Sequence, residues 1–303
     1  MGWRSLLSIA GVFKGLKTLS PPGAITQHSY GSHPDERLEL IAPNPSAPRR
    51  APVVYLHGGG WICGTKESFT GGLFFLAEAG YTHTHTNTHS HTHTHTHTTH
   101  TSHPVFNIEY PLAPERPHPH MLRSLLRALN WIHKHHPEHE AIHLMGDSAG
   151  GNLAVMLAIL TANRELILAL DPDFTAATPN PRSVISLYGL FERFSLIENG
   201  FPTAAVLLES YAGADALTLE GPAAAITPMD LPEFAALPPT LITAGSKDPL
   251  AESSRLGFEH LRQRFDKVEH IVYEGEGHGF FENQGRPACI RMKADILEFL
   301  AKH

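Results

Sequence analysis

Residues 141–162 read AIHLMGDSAGGNLAVMLAILTA, and this segment is the most informative about the fold. Its first five residues form a short apolar run, which predicts a buried strand. A glycine-rich turn follows, and the apolar residues from Leu153 to Ala162 predict a long buried helix. Similar strand-like and helix-like segments alternate on both sides of this unit. The sequence therefore predicts an α/β domain with a mostly parallel central sheet covered by helices on both faces.

The turn contains a candidate nucleophile, Ser148, within Gly146-Asp147-Ser148-Ala149-Gly150, which fits the pattern G-x-S-x-G. Glycines two residues before and after the serine remove Cβ clashes, so that a tight strand-to-helix turn can expose the hydroxyl oxygen. The start of the following helix adds free N–H groups beside that oxygen. The alternative is a glycine-rich turn with an incidental serine, because this pattern often occurs by chance.

Three other loops with polar or glycine-rich sequences directly follow predicted strands, at residues 57–61, 246–250 and 276–280. Ligands bind at the carboxyl ends of the strands in such sheets, so we expect these loops to meet Ser148. His278 is the candidate base and Asp248 its orienting acid, in the chain order serine, aspartate, histidine. The alternatives are a surface histidine and a helix-capping aspartate, with Glu252 and Asp230 as rival acids.

The loop at residues 57–61 reads HGGGW and supplies candidate donors for an oxyanion. We expect the backbone N–H groups of Gly58, Gly59 and Ala149 to hold the negative oxygen of a tetrahedral intermediate. For His57 we expect only a structural hydrogen bond within its own loop. The proposed chemistry requires no metal and no cofactor.

Five motifs together, HGGGW, YPLAPE, GDSAGG, PPTLITAGSKDPL and GHGF, resemble the hormone-sensitive-lipase-like branch of the α/β-hydrolases, a family of carboxylesterases. The resemblance covers roughly Glu36 to the C-terminus. It implies an α/β-hydrolase fold with Ser148 as nucleophile, His278 as base and Asp248 as its orienter. It also implies a small helical cap formed by residues 1–30 and about 190–226. One departure is Glu109-Tyr110-Pro111, where the family usually has Asp-Tyr-Arg.

Two segments lie outside the five motifs. Residues 1–30 begin with helical spacing of apolar residues, which is compatible with a helix packed on the protein, a membrane-surface helix with weak lipid contact, or an organelle presequence. Residues Thr82 to Pro104 alternate Thr and His without an apolar side chain, which predicts an inserted, solvated loop of low order. The alternatives for this tract are patches of strand and weak binding of Zn or Cu by histidines on one strand face.

The composition limits the partners and the compartment. Thirty Asp and Glu residues against 23 Lys and Arg residues give a formal net charge of −7, which argues against a nucleic-acid partner. Two cysteines, Cys63 and Cys289, are too few for a disulfide framework and suit a reducing compartment. We therefore expect a cytoplasmic protein, with a mitochondrial or membrane-associated location through the N-terminus as the alternative.

The sequence thus predicts a serine hydrolase that cleaves small-molecule carboxylic esters through an acyl-enzyme, and the resemblance implies acyl chains of short to medium length. A formamidase or amidase using the same triad is the enzymatic alternative. Two alternatives of another class are a non-catalytic ligand receptor on this fold and a histidine-rich metal-binding protein. Such receptors typically lose a triad member, whereas all three residue types are present here.

Overall fold

The computed structural model describes residues 20–46, 48, 50–78, 81–87, 93–99, 102–213 and 225–303, with residues 81–87 and 93–99 described by their backbone alone. The predicted N-terminal helix through residue 19 lies outside these ranges, as do residues 214–224 of the predicted cap. Within them, no single helix is long and apolar enough to cross a membrane.

The strands and helices alternate along most of the chain. The strands are β1 (Ile25–Ser29), β2 (Arg37–Ile41), β3 (Val53–Leu56), β4 (Tyr81–Asn87), β5 (His93–Thr99), β6 (Val105–Ile108), β7 (Ala141–Asp147), β8 (Asn180–Leu187), β9 (Thr240–Gly245) and β10 (Val268–Tyr273). The α-helices are α1 (Phe74–Ala77), α2 (His120–His135), α3 (Ala149–Ala162), α4 (Arg164–Leu170), α5 (Arg193–Glu198), α6 (Ala204–Ala212), α7 (Ala251–Arg262) and α8 (Pro287–Lys302). Short 3-10 turns include Thr70–Leu73, Pro228–Asp230 and Phe280–Glu282.

Eight strands form one sheet in the order β1-β2-β6-β3-β7-β8-β9-β10. Strand β2 is antiparallel to both of its neighbours, and all other pairs are parallel. The predicted mostly parallel sheet is confirmed. Because the parallel strands all point the same way, the loops after β3, β7, β9 and β10 meet at one edge of the sheet.

The core has two layers, one on each face of the sheet. In β3, Val54 and Leu56 join the larger cluster with α2 and α3, whereas Val53 and Tyr55 join the cluster with α1 and α8. This alternation follows from the period of two in a strand. The first twelve residues of α3 are all buried, as expected for a helix that is apolar on every side. The strand and helix around Ser148 therefore lie at the centre of the buried core.

The Thr/His tract is not the low-order loop that we predicted. Strands β4 and β5 pair antiparallel in a separate two-stranded sheet, with Tyr81 opposite Thr99 and Asn87 opposite His93. Alternating threonines favour an extended backbone, so the strand alternative holds over these ranges. The tract enters the domain just before β6 begins, at the amino ends of the parallel strands. It is therefore inserted at the edge opposite the candidate site.

The predicted end of the insertion at residue 104 is also wrong. Ser102 and His103 are buried, and the Ser102 hydroxyl donates to the Ala77 carbonyl over 2.7 Å. The His103 N–H donates to the Leu76 carbonyl over 2.8 Å, and the Pro104 carbonyl accepts from the sheet. These three residues belong to the hydrolase domain rather than to the insertion.

The predicted boundary between the N-terminal segment and the central domain, at residue 30, is also wrong. Residues 25–29 form β1, an edge strand paired with β2, with Ile25 opposite Ile41. The backbone of this segment completes the sheet, so the central domain begins before residue 31. In the described part of the predicted cap, α5 and α6 form two short helices beside the carboxyl ends of the strands.

Candidate active site

Ser148 lies between the end of β7 and the start of α3, with φ 52° and ψ −120°. A positive φ is costly for a residue with a side chain, by about 1–3 kcal/mol, and persists only where the surroundings enforce it. Here the Ser148 N–H donates to the Leu187 carbonyl over 2.8 Å, and the Ser148 carbonyl accepts from the Asn152 N–H over 3.0 Å. The neighbouring strand and the first turn of α3 therefore hold the serine in this conformation.

The two flanking glycines are required by close backbone packing. A Cβ on Gly146 would lie 2.3 Å from the Gly150 carbonyl oxygen, and a Cβ on Gly150 would lie 2.1 Å from the Leu56 carbonyl oxygen. Real Cβ atoms do not approach other atoms this closely, so neither position accepts a side chain without movement of the backbone. The glycines in G-x-S-x-G thus allow β7, α3 and the end of β3 to meet.

The structure brings Ser148, His278 and Asp248 into one hydrogen-bonded line. The Ser148 hydroxyl lies 2.8 Å from His278 Nε2. On the other side of the ring, His278 Nδ1 lies 3.0 and 2.9 Å from the two carboxylate oxygens of Asp248. Asp248 is buried and accepts a hydrogen bond from Nδ1–H, which leaves Nε2 free to accept the proton of the serine. This arrangement suits proton transfer from the hydroxyl to the imidazole.

The two rival acids lie elsewhere. Glu252 is in the first turn of α7, where its carboxylate accepts from Arg255. Asp230 closes the 3-10 turn at residues 228–230, where it accepts from the Thr227 N–H over 2.8 Å and faces Arg193 at 3.6 Å. Both carboxylates are therefore engaged away from His278, and Asp248 is the acid that contacts the imidazole.

The HGGG loop differs from our prediction at one position. The Gly58 N–H donates to Asp147 Oδ1 over 2.7 Å, so it does not face the space above the serine. The predicted assignment of Gly58 to the oxyanion hole is wrong for this reason. In the described part of the chain, the N–H groups of Gly59, Gly60 and Ala149 have no hydrogen-bond partner. Gly59 and Gly60 have φ of 123° and 57° and line the cavity over Ser148.

Asp147 connects the HGGG loop to the serine turn, a function that we did not predict. Its carboxylate accepts from the Tyr55 hydroxyl as well as from Gly58, both over 2.7 Å. Burial raises the pKa of this carboxyl above its ordinary value, although these hydrogen bonds and the nearby His57 oppose the rise. The sequence contained a signal for this contact, because a buried aspartate directly before the candidate nucleophile needs hydrogen-bond donors.

His57 plays the structural part that we expected. It is fully buried, and its Nδ1–H donates to the Gly58 carbonyl over 2.7 Å. The ring stacks on Tyr110 at 4.5 Å, and the Tyr110 hydroxyl donates to the His57 carbonyl over 2.6 Å. Where the family usually has Asp-Tyr-Arg, Glu109 accepts from the Lys66 N–H over 2.8 Å. Through the contacts of Tyr110 with His57, this motif therefore supports the HGGG loop.

A cavity of about 540 Å³ opens above the serine. Most of its wall consists of apolar side chains or backbone. The lining residues belong to the HGGG loop, the serine turn, the predicted cap and the loops of Asp248 and His278. Its lining residues are Gly59, Gly60, Ile62, Cys63, Asp147, Ser148, Tyr188, Phe201, Pro202, Thr203, Leu207, Pro249, His278, Gly279 and Glu282. A pocket of this size, apolar with few polar groups, suits a small organic substrate.

The described part of the predicted cap contacts His278 and the HGGG loop. Phe201 meets the His278 ring edge-on at 5.2 Å, and Leu207 lies against Gly60. Trp61, at the end of the HGGG loop, stacks on Tyr211 of α6 at 4.5 Å with the rings nearly parallel. These contacts cover one edge of the imidazole and pack the glycine loop against α6.

Neither cysteine forms a disulfide within the described chain. Cys63 is half-buried in the cavity wall, where its thiol donates to the Gly59 carbonyl over 3.1 Å, and burial raises the pKa of that thiol. It is therefore a poor second nucleophile. Among the side chains that the structure describes, no three His, Cys, Asp or Glu residues converge as ligands of a metal ion.

Comparison with known proteins agrees with this geometry. The family model of the alpha/beta hydrolase fold matches residues 73–282. Hormone-sensitive lipase of Mus musculus is 35% identical over 131 residues, which are 42% of this chain and 14% of that protein. An esterase of Acinetobacter venetianus is 27% identical over 214 residues, 64% of this chain and 63% of the relative. The chain thus spans less than two thirds of the length of these relatives.

Among solved structures, esterase LipW from Mycobacterium marinum superposes with a TM-score of 0.67 at 21% identity. The match covers 92% of this chain and 81% of LipW, which shows a common fold. The family model covers more than half of the chain and includes the serine, aspartate and histidine loops. The resemblance inferred from the five motifs is confirmed, and the chain belongs to the alpha/beta hydrolase fold family, with hormone-sensitive lipases among its relatives.

Proposed function

We propose that this protein is a serine carboxylesterase, with Ser148 as nucleophile, His278 as general acid and base, and Asp248 as the group that orients the imidazole. The observation that supports this most strongly is the continuous line from Ser148 Oγ through His278 to Asp248, at 2.8 and 2.9 Å. The similarity to hormone-sensitive lipase and to an esterase adds support for an ester substrate.

In the proposed reaction, His278 Nε2 accepts the Ser148 proton while Oγ attacks the ester carbonyl. The carbonyl oxygen becomes negative and accepts hydrogen bonds from the N–H groups of Gly59, Gly60 and Ala149. His278 then gives its proton to the leaving alcohol, which departs as the acyl-enzyme forms. Water repeats the sequence with His278 as base, and this releases the acid and restores the serine.

The cavity supports substrates of modest size. Its volume of about 540 Å³ and largely apolar wall suit an acyl group of short to medium length together with a small alcohol. The cap residues Phe201 and Leu207 narrow the space above the serine, which favours small esters over bulky lipids. The retention of all three triad members in contact argues against a receptor without catalysis.

The test is hydrolysis of p-nitrophenyl acetate, butyrate and octanoate by the wild type and by Ser148→Ala. Loss of the nucleophile should lower kcat by roughly 10⁴- to 10⁶-fold. Asp230→Asn serves as the control, because this rival acid lies away from the imidazole. Matched formamides and anilides identify an amidase. If the folded wild type hydrolyses none of these substrates, the proposal fails and a receptor function gains support.

A further inference from the structure

The cavity above Ser148 contains two carboxylates and, among its described lining residues, no lysine or arginine. The two acids differ in their surroundings. Asp147 accepts from the Tyr55 hydroxyl and from the Gly58 N–H, so its charge is compensated inside the protein. The Glu282 carboxylate has no hydrogen bond or ion pair with any residue that the structure describes. The cavity therefore contains one carboxylate whose partner is not supplied by the described chain.

The position of Glu282 is fixed by its neighbours. It ends the 3-10 turn Phe280–Glu282, directly after His278 and Gly279. Phe280 and Phe281 are buried in the core, so the turn is anchored and Glu282 stays on the cavity wall. Its Oε1 lies 3.8 Å from where a Cβ on Gly279 would be, and Gly279 also lines the cavity. The carboxylate thus shares the wall that holds the catalytic imidazole.

This location is costly for a lone carboxylate. Burial raises the pKa of Glu282 to about 7, the Asp147 carboxylate adds to the rise, and His278 opposes it. The other titratable groups that sense Glu282 are the hydroxyls of Tyr55 and Tyr188. No lysine or arginine is among these groups. A half-buried carboxylate without a partner recovers its solvation energy when a ligand brings a positive charge or a hydrogen-bond donor.

We propose that Glu282 determines substrate specificity, because its carboxylate binds an ammonium or hydrogen-bond-donating group on the ester and repels substrates with a negative charge. Cationic esters should therefore react faster than neutral esters of the same shape. The inference rests on the proposed esterase function, and it names the class of ester that the same site prefers.

The test uses two pairs of isosteric esters, each with one cationic and one neutral member. Butyrylthiocholine and 3,3-dimethylbutyl thiobutyrate place the charge on the leaving group. The p-nitrophenyl esters of 4-(trimethylammonio)butyrate and 5,5-dimethylhexanoate place it on the acyl group. One of the two pairs should bring its charge to Glu282. For that pair, the wild-type kcat/KM should be roughly tenfold higher for the cationic ester than for the neutral ester. In Glu282→Gln this ratio should fall to near one.

Glu274→Gln is the matched control, because Glu274 is exposed, lies outside the cavity lining and changes the net charge equally. It should keep the wild-type ratio. A second measurement needs no variant: the wild-type ratio should rise between pH 6 and pH 8, as Glu282 ionises.

Equal ratios in the wild type and in Glu282→Gln for both pairs would overturn the inference. A wild-type ratio that does not change with pH would overturn it as well, even if Glu282→Gln fails to fold. The neutral esters report on the proposed function separately. If the wild type hydrolyses neither neutral ester and none of the p-nitrophenyl esters above, the esterase proposal itself fails.

Discussion

Substitution of Gly150 by alanine tests the packing that holds the nucleophile. Gly150 is the second residue of α3, where alanine is favoured over glycine by about 1 kcal/mol from helix propensity alone. The new Cβ would lie 2.1 Å from the Leu56 carbonyl oxygen and 2.5 Å from that of His57. To reach even 3.0 Å, the helix and the strand must separate by about 0.9 Å.

A displacement of this size at Ser148 should lower kcat/KM by roughly 10²-fold. Overpacking should also cost about 1–3 kcal/mol of unfolding free energy, or roughly 2 °C in Tm per kcal/mol for a chain of this length. Hydrolysis of p-nitrophenyl butyrate and thermal unfolding followed by circular dichroism measure the two effects. Gly71→Ala is the control, because a Cβ there meets nothing within 4 Å. A Gly150→Ala protein as stable and active as the wild type would refute the packing argument.

Three further predictions concern the triad, a buried histidine and the tract. Asp248→Asn should lower kcat by roughly 10⁴-fold in steady-state assays, because His278 loses its tautomer and orientation, and an unchanged kcat would exclude Asp248 as the orienter. Burial lowers the pKa of His143 to about 3 from an ordinary value of 6.5, so the unfolded chain binds a proton in this window that the folded chain does not, and stability falls as pH falls. Urea unfolding at pH 7, 6 and 5 measures this effect. As the pH falls, the unfolding free energy of His143→Gln should decrease less than that of the wild type, by up to about 1.4 kcal/mol per pH unit. Parallel pH profiles of the two proteins would contradict this. Replacing residues 83–97 by Asn-Gly keeps a two-residue hairpin at the amino edge of the sheet and should leave kcat/KM for the butyrate ester within about twofold, whereas a large loss would mean that the tract acts on the site.

The sequence predicts the parts of this molecule that depend on local pattern. The strand, turn and helix around Ser148 follow from apolar runs and flanking glycines, and the loops of Asp248 and His278 follow from the placement of polar residues after strands. The triad contacts are consistent with that reasoning, because parallel strands bring their carboxyl ends to one edge. The two rival acids, Glu252 and Asp230, contact other residues instead of His278.

The sequence is less informative where the structure depends on the direction of a backbone N–H group or on contacts between residues that are far apart in the chain. Our proposal of Gly60 instead of Gly58 as an oxyanion donor depends on the direction of each N–H group. That direction follows from the positive φ of Gly59 and Gly60 and from Asp147, which lies 89 residues after Gly58. The apolar segment before the tract forms only the 3-10 turn Thr70–Leu73 and the four-residue α1, and Gly71 and Gly72 lower its helix propensity. Strand β1 is short, polar and at an edge, and it forms only because β2 offers it partners.

The central claim is that Ser148 forms a covalent intermediate. The most direct measurement is mass spectrometry of the intact chain, and then of its peptides, after reaction with diethyl p-nitrophenyl phosphate, which phosphorylates an activated serine and releases p-nitrophenol. We expect one phosphoryl group per chain, located on Ser148, with loss of ester hydrolysis in proportion to labelling and no labelling of Ser148→Ala. A label on another residue, or hydrolysis that persists in the fully labelled protein, would contradict it.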